Sequence, residues 1–307
     1  MHQQQSEVIV CLDIGGTNIR GCYFSRGERG EIKLCKRPHH RDATLRAVKE
    51  MITHLTREAG GKMCAIGIAS AGPLDREHKR YLHTVNMPEL NMFPLGRFIE
   101  KAFGVPCIME NDAQAACMGE FHNRPEKQVQ DLVLITLGTG VGTGVVMGGK
   151  LWRAAHITGP ELGHLFLGGD RRCGCGQRGC AETLLNSRAL GEIAYEVLGE
   201  RLSASRVISL APKGGEKMEE IWKIYGRRLG KFLCILQTIF GIKEVCISGG
   251  ISRLFPYIER YIWEVLEEEM ELRRWWLPRR IYPSTNPHMS ALYGMFHLIR
   301  EGEGLCS

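Results

Sequence analysis

The chain has 307 residues, 44% hydrophobic and 24% charged, with a formal net charge of +6 at pH 7. That length suffices for two ordinary domains whose cores need no disulfide staples. The slight basic excess falls well short of a nucleic-acid-binding composition, no apolar run approaches membrane-spanning length, and the polar start Met-His-Gln-Gln-Gln-Ser-Glu is unlike a secretory signal. A cytoplasmic chain with reduced thiols is expected, with neither nucleic acid nor membrane as a partner.

Residues 8–12 form an apolar, buried-strand run ending at Asp13. Gly15-Gly16-Thr17 follows as a tight turn. Residues 19–24 read as a second strand, 25–31 as a turn and 32–36 as a third strand, together an antiparallel meander. Over residues 44–58, Leu45, Val48, Met51, Ile52 and Leu55 recur at helical spacing. A strand over 63–69 is closed by Ser70-Ala71-Gly72-Pro73. A helix over 95–103, a strand over 105–110 and a helix over 112–120 complete the first half.

The opening pattern then recurs. Residues 131–137 are an apolar strand, 138–144 a glycine-rich turn, and 145–147 and 150–152 begin two further strands. Such duplication predicts two similarly folded domains with a cleft between them. The boundary is expected within 120–130, a polar stretch containing Pro125. This makes 1–120 one α/β domain, completed by the last helix within 290–307, and 121–289 the other. Past a Cys/Gly-rich insertion over 160–180, helices are predicted over 182–197, 218–240, 254–272 and 290–300, with a strand over 244–248. Arg273, Arg274, Arg279 and Arg280 flank Trp275 and Trp276. Glu264, Glu267, Glu268, Glu269 and Glu271 offset them, so this basic run reads as a helix end and turn broken by Pro278.

Three glycine segments carry the first chemical signal. In Asp13-Ile14-Gly15-Gly16-Thr17 the glycines let backbone N–H groups approach a phosphate, Thr17 adds a hydroxyl donor, and Asp13 suits water-mediated Mg²⁺. A hairpin turn alone explains this segment equally well. Residues 137–144 hold four glycines and two threonines, among them Gly138, Thr139, Gly140 and Gly142, more than a hairpin requires. Gly249-Gly250 ends a third strand and would let an adenine or ribose lie flat on the backbone. No Gly-Lys-Ser/Thr follows any of them, and no Gly-x-Gly-x-x-Gly opens a helix, so neither a Walker A loop nor a dinucleotide site is indicated.

Glu110-Asn111-Asp112 lies where a strand gives way to a helix. Asp112 is either an N-cap or a general base for an attacking hydroxyl, with Asn111 as a substrate ligand, and the two roles are compatible. His164, Cys173, Cys175 and Cys180 make an H-x8-C-x-C-x4-C set with glycines between, the closed donor set of a structural Zn²⁺. Free core cysteines are the alternative. Other cysteines, such as Cys11, Cys22 and Cys246, stand singly in apolar runs and read as packing. Glu161 and Glu182, held by the same loop, are acceptors suited to sugar hydroxyls, although either alone also reads as a solvated charge.

Together these motifs resemble the ROK family of sugar kinases and sugar-responsive repressors. The matching segments are DIGGT at 13–17, SAGPLD at 70–75, END at 110–112, LGTGVGTG at 137–144, ELGH at 161–164 and CGCGQRGCAE at 173–182. The resemblance implies an α/β fold of two actin-like (ribonuclease H-like) ATPase domains flanking an interdomain cleft that holds ATP and sugar. It implies Asp112 as the base deprotonating a sugar hydroxyl, commonly the 6-OH, with Asn111, Glu161, His164 and Glu182 as sugar ligands. Asn86 matches a sugar contact more loosely, and Gly72 lies close to the sugar. His164 is then zinc ligand and substrate neighbour at once. The family often forms homodimers. Pro160 and Ala181 depart from its usual residues without removing a polar group.

The expected activity is ATP-dependent phosphorylation of a hexose or N-acetylhexosamine, with ATP, Mg²⁺ and structural Zn²⁺. The alternative is a sugar-sensing regulator without kinase activity. Family repressors carry an N-terminal helix-turn-helix, and here the first strand begins near Glu7, leaving no room for one. Asn111-Asp112-Ala113-Gln114 leans faintly to the N-acetylmannosamine type, but the motifs do not fix which sugar is used.

Overall fold

The computed structural model describes residues 6–124, 128–155 and 157–303; Pro125, in the expected boundary stretch, lies outside them. The chain divides into two compact units. One comprises Met1–Pro125, Leu151–Pro160 and His288–Ser307, the other Glu126–Lys150 and Glu161–Pro287.

The first unit opens with β1 (Glu7–Ile14), β2 (Asn18–Ser25), β3 (Glu28–Arg29) and β4 (Lys33–Lys36). The stretch expected as one turn, 25–31, contains the two-residue strand β3, which pairs with the end of β2. Next come α1 (Arg41–Ala59), β5 (Lys62–Ser70), the hairpin β6 (Leu74–Asp75) and β7 (Arg80–Tyr81), α2 (Leu95–Phe103), β8 (Cys107–Asn111) and α3 (Asp112–Asn123). The sheet order is β3-β2-β1-β5-β8, with β4 also on β2. β2 runs antiparallel to β1, whereas β5 and β8 run parallel to it. β1 buries residues on both faces, as a strand covered on both sides must. α1 buries Thr44, Leu45, Val48, Met51, Ile52 and Leu55, and Leu45, Val48, Met51, Ile52 and Leu55 share one apolar cluster with Leu12 and Ile19.

The second unit repeats the arrangement with β9 (Leu132–Leu137), β10 (Val141–Met147) and β11 (Lys150–Leu151). After α4 (Ala181–Leu185), α5 (Ser187–Leu198), α6 (Ala204–Leu210) and α7 (Glu216–Phe240) come β12 (Glu244–Ser248), α8 (Phe255–Glu269) and β13 (Arg280–Pro283). The order β11-β10-β9-β12-β13 again joins an antiparallel pair to parallel strands. α7 buries Ile221, Trp222, Tyr225, Leu229, Phe232, Leu233 and Leu236 along one stripe. Gly226 and Gly230 admit α8, since a Cβ at Gly226 would stand 2.8 Å from Ile258 O and one at Gly230 2.8 Å from Val265 Cβ.

Three sequence expectations are corrected. The single helix over 182–197 is broken at Asn186, whose extended backbone (φ −76°, ψ 175°) ends α4 and whose side chain caps α5 by accepting from Ala189 N. The helix expected to reach 272 ends at Glu269, ahead of Pro278, because Met270 leaves helical geometry (φ −115°, ψ 22°) and a 3₁₀ segment, Glu271–Trp276, follows. Only 138–140 turn within the glycine-rich stretch. Val141 pairs with Leu137, and the antiparallel ladder with β9 continues to Val146, so 141–147 is a strand.

The final helix, α9 (Ser290–Leu298), belongs to the first unit and lies along α3. Glycine makes this possible on both sides, for a Cβ at Gly119 would overlap Ser290 O and one at Gly294 would overlap Ala115 O. Ser290 Oγ donates to Glu120 Oε1 at 2.5 Å within that contact. No helix among the described residues is long and apolar enough to cross a membrane.

Candidate active site

In the first unit, three motifs end on one line. Ser70, the last residue of β5, pairs with Ile14 on one side and with Asn111 on the other. DIGGT, SAGP and END therefore leave a parallel sheet together at its carboxyl edge, where open α/β sheets bind ligands. Ser70 Oγ donates to Ile14 O at 2.8 Å and stands 2.9 Å from the buried Tyr81 hydroxyl. Burial raises the Tyr81 pKa, and the charge of Asp112 adds to this, so Asp112 is electrostatically part of the same cluster.

Asn111, not Asp112, is the cap of α3. Its Oδ1 accepts from Ala113 N at 3.0 Å and from Gln114 N at 3.2 Å, which leaves its amide group as the donor it can offer a ligand. Asp112 is the first helical residue, with Oδ1 2.8 Å from Ala113 N. A carboxylate in the first turn interacts favourably with the helix dipole. Glu110 is buried beneath, accepting from Asn111 N at 2.9 Å and from Arg153 Nε at 3.0 Å.

Arg153 belongs to the segment Leu151–Pro160, which folds onto this junction. Gln114 Nε2 donates to Trp152 O at 2.6 Å, and a Cβ at Gly159 would lie 2.9 Å from Gln114 Cγ and 3.6 Å from Asn111 Cβ. The sequence alone did not single out Arg153 or Gly159. Their only signal was a glycine and a basic residue in a stretch without regular periodicity.

The nucleotide-type residues of this unit sit in the β1–β2 turn. Asp13 Oδ2 accepts from Arg20 Nη1 at 3.0 Å. Burial raises its pKa, against the lowering pull of Arg20 and His288. A divalent cation would pull the same way, so Asp13 fits a Mg²⁺ held through water. Thr17 is exposed at the turn, and Gly16 faces Asn86, with a Cβ at Gly16 reaching 3.3 Å from Asn86 Cβ. Gly72 follows β5 in a turn whose Gly72–Pro73 peptide is cis.

In the second unit the two other glycine segments meet. β9 and β12 run parallel, and Gly249 (φ 83°) rests on the backbone of Leu137, where a Cβ would stand 2.8 Å from Leu137 N. The turn Gly138-Thr139-Gly140 is anchored by Ser187, whose N and Oγ both donate to Gly138 O at 2.7 and 2.8 Å. Thr139 and Gly250 are exposed at its rim. Gly142 lies in β10, its N–H spent on Thr136 Oγ1 at 3.2 Å, and is not part of the turn.

The His/Cys loop packs on that turn from the other side. A Cβ at Gly163 would overlap Val141 O, and Glu182 Oε2 accepts from Val141 N at 3.1 Å. The ligand atoms of His164, Cys173, Cys175 and Cys180 all lie within 4.8 Å of one another. Tetrahedral Zn–S bonds of about 2.3 Å put neighbouring sulfurs roughly 3.8 Å apart. Cys175 Sγ and Cys180 Sγ are 3.7 Å apart, and Cys173 Sγ is 3.5 Å from His164 Nδ1, so the donor set fits such an ion. Burial pushes the Cys173 thiol up to about 12, and the Glu182 carboxylate adds to it. That thiol donates to Glu182 Oε1 at 3.4 Å. The other ring nitrogen of His164, Nε2, is 3.8 Å from Glu161 Oε2. Partial burial raises the Glu161 pKa; His164 opposes the rise and Glu182 reinforces it.

The family model described as the ROK family matches residues 9–302. The chain is 28% identical over 259 residues to an N-acetylmannosamine kinase of Escherichia coli O6:H1, a span covering 82% of this chain and 86% of that protein. Among solved structures it is similar to a ROK hexokinase from Thermus thermophilus, with TM-score 0.81 and 29% identity over 96% of this chain and 100% of the other. It is likewise similar to a ROK family glucokinase from Streptomyces griseus, solved in complex with glucose and AMPPNP, with TM-score 0.78 and 25% identity over 96% of this chain and 100% of that one.

Proposed function

The chain belongs to the ROK family, and from that premise we propose that it transfers the γ-phosphoryl group of ATP to the 6-hydroxyl of a hexose or N-acetylhexosamine. Sugar kinases among its relatives and structural neighbours support the phosphotransferase class. The observation that supports the finer reading is the alignment of Ile14, Ser70 and Asn111 at one sheet edge, where the phosphate-type turn after β1 and the helix-borne carboxylate after β8 are separated by the single strand β5.

In this reading Asp112 accepts the proton of the attacking hydroxyl while the oxygen bonds to the γ-phosphorus and ADP leaves. Asn111 donates its amide to the sugar, and Asn86 and Gly72 border it. Within the first unit Gly15, Gly16 and Thr17 offer backbone N–H groups to phosphate, and within the second Gly138, Thr139, Gly140, Gly249 and Gly250 offer N–H groups and flat glycine surfaces to a nucleotide. Asp13 would hold Mg²⁺ through water, and that ion would supply charge neutralisation at the phosphates. His164, Cys173, Cys175 and Cys180 would hold a structural Zn²⁺, which would fix the fold of their loop. With Cys173 as a thiolate ligand its proton would be gone, and Glu182 Oε1 would be free to accept from a sugar hydroxyl. Glu161 accepts from another, with His164 Nε2–H beside it.

The test is ADP release against a panel of hexoses and N-acetylhexosamines, headed by N-acetylmannosamine and glucose. At least one sugar should stimulate turnover. Asp112→Asn should lower kcat by about 10²–10⁴-fold with AMPPNP affinity retained. A panel with no active sugar, or an Asn variant at full turnover, would overturn the reading.

A further inference from the structure

Arg37 follows β4 directly, just before Pro38, and is only 2% exposed. A guanidinium taken out of water must find partners for its donors and its charge. Its donors go to four backbone carbonyls and a carboxylate. Nε donates to Gly15 O at 3.0 Å and Gly16 O at 3.1 Å. Nη2 donates to Gly16 O at 2.8 Å and Asn86 O at 3.3 Å. Nη1 donates to Pro38 O at 3.0 Å and to the Glu89 carboxylate, which balances the charge.

The geometry has a directional consequence. In a planar trans peptide the C=O and N–H point opposite ways. Drawing the Gly15 and Gly16 carbonyls toward Arg37 therefore turns the N–H groups of Gly16 and Thr17 to the opposite side, as an anion-receiving turn requires. The hold of Arg37 on Asn86 O, with Gly16 packed against that residue's side chain, fixes the second segment to the first.

We propose that Arg37 is a positioning residue that locks the Gly15–Thr17 phosphate turn to the Asn86 sugar segment. Nucleotide and sugar are then received at one fixed spacing. This rests on the kinase reading above for the identity of the two ligands, but not for the coupling of the two segments.

The experiment compares wild type, Arg37→Lys and the charge-neutral pair Arg37→Met with Glu89→Leu. Lysine keeps the charge but, as a point donor, cannot span several carbonyls. The paired replacement leaves no buried unpaired charge. AMPPNP with Mg²⁺ is titrated calorimetrically, and KM is measured for ATP and for the active sugar, with circular dichroism confirming the fold. Both altered proteins should bind AMPPNP at least about tenfold more weakly and show a similar rise in sugar KM, with kcat changed less. Wild-type constants in a folded Arg37→Lys protein, or weakening of only one ligand, overturn the proposal. If neither protein folds, Glu89→Gln leaves the guanidinium but loosens its anchor. The same paired weakening at smaller size is then expected, and unchanged constants overturn the proposal. A wild type that binds AMPPNP but phosphorylates no sugar would sink the kinase reading, and the AMPPNP constants would still judge Arg37.

Discussion

Asp75 closes the β6–β7 hairpin by accepting from His78 N at 3.0 Å, from Arg80 Nε at 3.0 Å and from the His78 ring at 2.8 Å, a contact that places the ring proton on Nδ1. Burial works to raise its pKa, but these donors outweigh burial and hold the carboxyl below its usual range. Between the folded and unfolded values the unfolded chain binds more protons. The contribution to stability is therefore present above the unfolded pKa of about 3.9 and is lost as pH falls through the folded one. Thermal unfolding followed below about pH 4 should show wild type losing more of its Tm than Asp75→Asn, whose side chain does not titrate. Single residues were legible in the sequence where chemistry needs a rare type at a fixed spacing, as with the three cysteines and His164. Arg37 was not. A basic residue before a proline carries no mark of whether it faces water or four carbonyls, because its partners in the turn and beyond lie 21 to 52 positions away.

Elements were legible where an apolar run meets glycine or an acid, as at Asp13, Ser70 and Asn111, because strand ends and tight turns demand those residues. Breaks inside an apolar periodicity were not. Asn186 interrupts a pattern that continues on both sides, and only its capping bond to Ala189 N reveals two helices. The glycines of α3 and α9 were equally silent, since the value of each lies in a neighbour on the other helix, Ser290 for Gly119 and Ala115 for Gly294, far away in the chain. Gly294→Val should destabilise the chain by at least about 1–3 kcal/mol, read as a lower urea midpoint, because the side chain has no space against Ala115 O.

For the molecule as a whole, the two sheets share one strand order, and the repeated glycine meander announced that duplication. What composition did not announce is that the segment Leu151–Pro160 rejoins the first unit across a stretch of the second. The His/Cys loop links sites within the second unit, since Gly163 and Glu182 grip Val141 from both sides. Chelation should therefore release one Zn²⁺ per chain, measured by elemental analysis. It should also lower Tm and raise the KM for ATP together with that for sugar. The seating of α9 on α3 also acts in time. The helix that begins with Asp112 emerges from the ribosome early, whereas its partner emerges only after the entire second unit has been made and is free to fold. α3 therefore completes its packing only when nearly the whole chain has been translated, so synthesis itself orders the steps of folding.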